Sequence, residues 1–290
     1  MIKGLGTALV TPFKADKSVD YEALARLLDT QLTGFVDYLV VLGTTGEAAT
    51  LTADEKREVR EFIVNYVKQH PLPNGQIMPL VLGVGGNNTA AVVSDLQAMR
   101  NGLILDFTAI LSVCPYYNKP NQEGLYQHFC AVAEASPVPV ILYNVPGRTG
   151  VNLLPETVMR IWKAHPDKII GIKEASGNLE QIKHLIDLIK QSPITNHQSP
   201  LSVISGDDGI ACEVMEAGGA GLISVASNAF PEDFWHIVHD KDAALQAQYA
   251  ETIRLLFVEG NPTGIKAFLA KKGLIQNYLR LPLVPASFTL

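Results

Sequence analysis

The sequence predicts an α/β chain, a (β/α)8 or TIM barrel with a C-terminal helical extension. Two observations carry that prediction. Short runs rich in Val, Ile and Leu recur along the chain, each followed by a turn signal and a helical pattern. Eight such units fill the first 230 or so residues, and no Gly/Ser/Pro-rich or low-complexity joint divides them.

The runs are residues 6–10, 38–42, 79–84, 108–113, 138–143, 169–173, 201–205 and 221–225. Most lack apolar/polar alternation, as parallel strands covered on both faces do. Helix signals lie between them. Thr52-Ala53-Asp54-Glu55 has the form of a capping box, Asn88 or Thr89 can cap the next helix, and Pro155-Glu156 suits a first turn. Residues 1–230 are expected to form the catalytic barrel. Residues 231–290 would supply its last helix and the extension, with amphipathic patterns over 244–258 and 263–272. A doubly wound open sheet is the alternative, but Gly83-Val84-Gly85-Gly86-Asn87-Asn88 lacks the third glycine of a dinucleotide loop.

Composition narrows the function. The chain has 290 residues, 47% hydrophobic and 18% charged, with a net charge of −6 and no long basic run. Nucleic acid and anionic membranes are poor partners for such a chain, and an anionic substrate needs a local cation. The cysteines Cys114, Cys130 and Cys212 are odd in number and lack ligand spacing, which fits apolar packing in a reducing cytoplasm. The start reads as a first strand rather than a signal peptide, because Thr11-Pro12 interrupts a brief apolar stretch. The histidines, among them His165, His184 and His197, fall on helices and loops where surface positions are expected.

Lys173 stands alone in the apolar run Ile169-Ile170-Gly171-Ile172-Lys173. It could snorkel to solvent or pair with Glu174. It could also be a carbonyl nucleophile, since burial disfavours an ammonium and a neutral amine attacks carbonyl carbon. A free lysine, with a pKa of about 10.4, needs a bias of about 4 kcal/mol to lose most of that handicap near pH 7. A barrel places its chemistry at the carboxyl ends of strands. Thr44-Thr45-Gly46-Glu47, Tyr116-Tyr117, Tyr143 and Lys173 all fall at or just after such ends. The threonine turn can hold a carboxylate through hydroxyls and N–H groups, or Thr45 can merely cap a helix. Tyr143 can pass protons and Arg148 can grip a carboxylate, unless they serve as a core cap and a surface ion pair.

The motifs together resemble a known family. Gly43-Thr44-Thr45-Gly46-Glu47, Pro115-Tyr116-Tyr117-Asn118-Lys119-Pro120, Tyr143-Asn144-Val145-Pro146-Gly147-Arg148-Thr149-Gly150, Gly171-Ile172-Lys173-Glu174-Ala175-Ser176-Gly177 and Ser205-Gly206-Asp207-Asp208 are similar to those of the dihydrodipicolinate synthase family of pyruvate-dependent class I aldolases. The resemblance implies condensation of pyruvate with aspartate 4-semialdehyde through an imine on Lys173, with no metal or other cofactor. It implies a proton relay of Tyr143, Thr44 and Tyr117, the last reaching into a neighbouring subunit of a homotetramer built as a dimer of dimers. Thr45 would hold the pyruvate carboxylate, Gly206 and the Ile223 carbonyl would line the pocket, and Arg148 would hold the semialdehyde carboxylate. The alternative inside the superfamily is a lyase for N-acetylneuraminate or a 2-keto-3-deoxy sugar acid. The sialic-acid branch usually has serine at the position of Thr44 and lacks the arginine of Arg148.

The resemblance also bears on regulation by lysine. Where lysine-inhibited members carry histidines and a glutamate, this chain has Ala53, Lys56 and Ala91, while Asn87 and Tyr116 are kept. Loss of a carboxylate and gain of a like charge each weaken a cationic effector by about tenfold. Feedback inhibition is therefore expected to be weak or absent. Half-inhibition at submillimolar lysine in a steady-state assay is the contrary result.

Overall fold

A computed structural model describes residues 2–100, 102–192 and 201–288. Eight strands close into a barrel in chain order: β1 (Gly4–Ala8), β2 (Tyr38–Val41), β3 (Leu80–Val84), β4 (Ala109–Val113), β5 (Val140–Asn144), β6 (Ile169–Glu174), β7 (Ser202–Ser205) and β8 (Gly221–Ser224). Pairing is parallel, and the register sets Tyr143 opposite Lys173. Closure excludes the doubly wound sheet. The strands are almost wholly buried, which is why their sequences run apolar without alternation.

The helices are α1 (Tyr21–Gln31), α2 (Ala53–Gln69), α3 (Thr89–Met99), α4 (Gln122–Ala135), α5 (Pro146–Thr149), α6 (Pro155–Ala164), α7 (Leu179–Gln191), α8 (Ala211–Ala217), α9 (Pro231–His239), α10 (Ala243–Gln248), α11 (Ala250–Phe257) and α12 (Thr263–Lys271). Local chemistry starts several of them as the sequence predicts. Thr52 and Glu55 form the reciprocal capping box of α2, and Asn88 caps α3 through the N–H groups of Ala90 and Ala91. No helix among the described residues is long and apolar enough to cross a membrane.

Three details depart from expectation. β1 begins two residues earlier than predicted, at Gly4, where the Asp37 carboxylate accepts from the Leu5 N–H at 2.7 Å. The pattern over 244–258 is two helices broken at Tyr249, not one. The Tyr249 hydroxyl bonds to Asp233, and its ring packs edge-on against Phe230 and Phe234, so tertiary anchoring overrides helical continuity. Not every histidine is on the surface. His128 is buried on α4 and bonded to the Thr89 hydroxyl, and burial pushes its pKa down to about 4. His184 is exposed and pairs with Glu156, His165 is half-buried, and His197 lies outside the described residues. The three cysteines are free thiols, with Cys114 and Cys212 buried.

Contacts divide the chain into two units, one centred on Val81–Leu222, the other on Gly4–Leu80 with Ile223–Leu290. In the first, successive strands β4 to β7 pair, and α3, α4, α6, α7 and α8 pack in sequence. In the second, Asn228 ties the turn after β8 to the end of β1. Its amide donates to the Ala8 carbonyl at 2.8 Å and accepts from the Val10 N–H at 3.1 Å.

Candidate active site

Within the first unit, Lys173 and Tyr143 occupy paired positions near the ends of β6 and β5. Both are buried, at 6% exposure each, and the Lys173 Nζ lies over the tyrosine ring, 4.5 Å from its centroid. Pairing with Glu174 does not occur. Side chains alternate along a strand, and Glu174 points into its own polar cluster. There it accepts from the Asn144 amide at 2.9 and 3.2 Å, the Gln181 amide at 3.1 Å and the Ser176 N–H at 2.8 Å. Among the described residues no carboxylate pairs with Lys173. A buried lysine left without a carboxylate, beside a phenol, can act as a carbonyl nucleophile.

Gly206 closes one side of that lysine. A Cβ there would lie 2.9 Å from the Lys173 Cε and 2.6 Å from the Ala175 Cβ, so only glycine leaves the lysine its place.

The loop after β4 is joined to the segment after β5 and to the loop after β3. The Tyr117 N–H donates to the Thr149 carbonyl at 3.3 Å, and the Asn118 amide donates to the Asn87 carbonyl at 2.9 Å. Tyr117 and Lys119 both adopt left-handed backbone, with φ of 75° and 48°. That conformation is costly for side chains larger than glycine and collects at functional loops. Tyr117 is 88% exposed and Tyr116 is 43% exposed. Arg148 lies on the exposed face of α5, the single turn that follows β5.

The threonine turn after β2 lies in the second unit. Thr44 is exposed there and Thr45 is buried. The turn is anchored by the Thr11 hydroxyl, which donates to the Gly46 carbonyl at 2.7 Å. Among the described residues no acceptor takes the Thr45 N–H, a property a carboxylate-binding turn needs. Ile223 is buried in β8.

Several contacts of the threonine turn escape sequence reasoning. Glu47 is buried in left-handed conformation, with φ of 50°, and forms an ion pair with the wholly buried Lys266 of α12. Desolvation lowers the Lys266 pKa to about 8, against the pull of Glu47. The Glu47 carboxylate also accepts from the Arg280 N–H at 3.2 Å. The Arg280 guanidinium grips Glu55 with two bonds of 2.6 and 2.7 Å, and this contact holds the Glu55 pKa down at about 2. Asn261 donates to the Thr45 hydroxyl oxygen at 2.9 Å. The C-terminal extension thus braces the threonine turn at two of its residues.

Known proteins match this chain over almost its whole length. Residues 1–289 match the model of the dihydrodipicolinate synthetase family. The 4-hydroxy-tetrahydrodipicolinate synthase of Parabacteroides distasonis is 49% identical over 98% of this chain and 92% of its own. The pyruvate-complexed, chloride-inhibited dihydrodipicolinate synthase of Acinetobacter baumannii superposes with a TM-score of 0.88 at 37% identity, covering 99% of this chain and 94% of its own. A monomeric dihydrodipicolinate synthase variant gives a TM-score of 0.85 at 39% identity, over 98% of this chain and 92% of its own. A barrel lysine without a counter-ion among the described residues, a glycine that makes room for it and a match of this extent agree, and the chain belongs to the dihydrodipicolinate synthetase family.

Proposed function

We infer that this chain is a lyase that condenses pyruvate with aspartate 4-semialdehyde to give 4-hydroxy-tetrahydrodipicolinate, in lysine and diaminopimelate biosynthesis. The observation that carries the chemical assignment is Lys173, buried at the end of β6 with no carboxylate paired to it among the described residues. Its amine adds to C2 of pyruvate, and loss of water gives a protonated imine. That imine is an electron sink, so the methyl carbon loses a proton and becomes an enamine. The enamine carbon attacks the semialdehyde carbonyl, restoring the imine. The substrate amine then adds to C2, closes the ring and expels Lys173 as free amine.

The remaining residues take their proposed roles around these steps. Tyr143 passes protons to and from the intermediates, with Thr44 and Tyr117 completing the relay. Thr45 binds the pyruvate carboxylate through its N–H and hydroxyl, while Gly206 and the Ile223 carbonyl line the pocket. Arg148 holds the carboxylate of the semialdehyde. The chain would work in the cytoplasm as a homotetramer, a dimer of dimers, in which Tyr117 enters the site of a neighbouring copy. The 88% exposure of Tyr117 and its constrained backbone support that placement. The sugar-acid lyase reading is disfavoured by the arginine at position 148 and the relatives' shared activity.

A coupled assay with pyruvate and aspartate 4-semialdehyde, run beside pyruvate release from sugar acids, tests the reaction. Turnover only in the second assay would overturn it. Arg148→Ala should raise the KM for the semialdehyde by about tenfold to a hundredfold, the loss of a charge-assisted contact of about 1.5–3 kcal/mol. Borohydride trapping of the pyruvate imine should stay within about twofold of the parent. Equal loss in both measurements would mean that Arg148 organises the whole site.

A further inference from the structure

Thr45 is held by a residue far along the chain. Asn261, buried in the turn between α11 and α12, donates its amide proton to the Thr45 Oγ1 at 2.9 Å. A donor on that oxygen occupies a lone pair and leaves the hydroxyl proton to be given elsewhere. Among the described residues no acceptor takes either that proton or the Thr45 N–H. Both flanks of the turn are fixed independently, by Thr11 on the Gly46 carbonyl and by Lys266 and the Arg280 N–H on Glu47. The turn therefore does not need the Asn261 contact merely to keep its shape.

We infer that Asn261 is a positioning residue for pyruvate recognition: its amide turns the Thr45 hydroxyl so that the proton is presented to the pyruvate carboxylate. The inference rests on the assignment of Thr45 to that carboxylate. Without the amide the hydroxyl rotates freely, and an acceptor in its place would take the proton away.

Steady-state constants of four proteins decide the matter: the parent, Thr45→Val, Asn261→Leu and the double variant. Thr45→Val and Asn261→Leu should each raise the pyruvate KM by about fivefold or more, the equivalent of about one hydrogen bond, with the semialdehyde KM within twofold. In the Thr45→Val background, Asn261→Leu should add less than twofold, because the group it acts through is gone. An equal factor in both backgrounds overturns the inference and leaves the Thr45 assignment standing, as does an unchanged pyruvate KM for Asn261→Leu alone. An unchanged pyruvate KM in Thr45→Val removes the assignment itself, and the inference with it. Should Asn261→Leu fail to fold, the near-isosteric Asn261→Asp decides. Ionised, it accepts the Thr45 proton. Protonated, it donates again, so its pyruvate KM relative to the parent should fall as pH drops through its carboxyl range. Glu47, Lys266 and Arg280, the charged groups of this turn and tail, are common to both proteins. A ratio independent of pH sinks the inference.

Discussion

Lys173→Ala is expected to form no borohydride-trapped adduct with pyruvate and to lose about four orders of magnitude or more in kcat/KM. Removal of a covalent nucleophile commonly costs that much, since every later step depends on the bond it makes. The parent should take one pyruvate per chain, and peptide mapping should find it on Lys173. The informative competitor is Lys266, which is more deeply buried. Its ammonium is bound to Glu47 and donates to the Tyr278 carbonyl at 3.0 Å, so its lone pair is not offered to a carbonyl carbon. Lys168 and Lys183 are likewise engaged, with the Ser136 carbonyl and Glu180. An adduct on any of these three would overturn the assignment.

Gly206→Ala should be the next most damaging change to chemistry while leaving the fold in place. The new methyl would sit 2.6 Å from the Ala175 Cβ and 2.9 Å from the Lys173 Cε. The Ala175 Cβ has no rotamer to yield and gives way only by a small backbone shift, while the lysine's terminal carbons swing aside. Overpacking of this kind costs about 1–3 kcal/mol in stability. Displacing a reacting atom by about 1 Å costs about a hundredfold in rate. The expected result is a drop of about two orders of magnitude in both imine trapping and turnover, with a melting transition that remains cooperative. Parent-like trapping would show that the lysine has room the contact distances deny.

The barrel was legible because each strand is buried on both faces and so writes an uninterrupted apolar run into the sequence. The ends of runs were less so. Glu174 extends β6 by one residue, a charged side chain accommodated by the amides of Asn144 and Gln181, which belong to other elements. The same limit governs the two buried lysines. Lys173 in Ile172-Lys173-Glu174 and Lys266 in Ile265-Lys266-Ala267 give the same local signal, a lone cation among apolar residues. Only the presence of Glu47, 219 positions before Lys266, separates an ion-paired lysine from an unpaired one. Nothing in the neighbourhood of either residue along the chain records that difference. Asn261 escaped for the same reason, since an Asn-Pro pair reads locally as a turn and nothing more.

The reach of the Asn261 contact has a consequence for the order in which the protein is made. Thr45 and Asn261 are 216 residues apart, and α12 and Arg280 follow later still. Contacts of such separation form late, because loop closure must precede them, and synthesis delivers the amino-terminal partner first. A chain emerging from the ribosome carries its strand lysine and both tyrosine motifs well before the residues that brace the threonine turn exist. On the roles proposed above, the set of contacts that holds the threonine turn is thus complete only once residues 261–280 have been made.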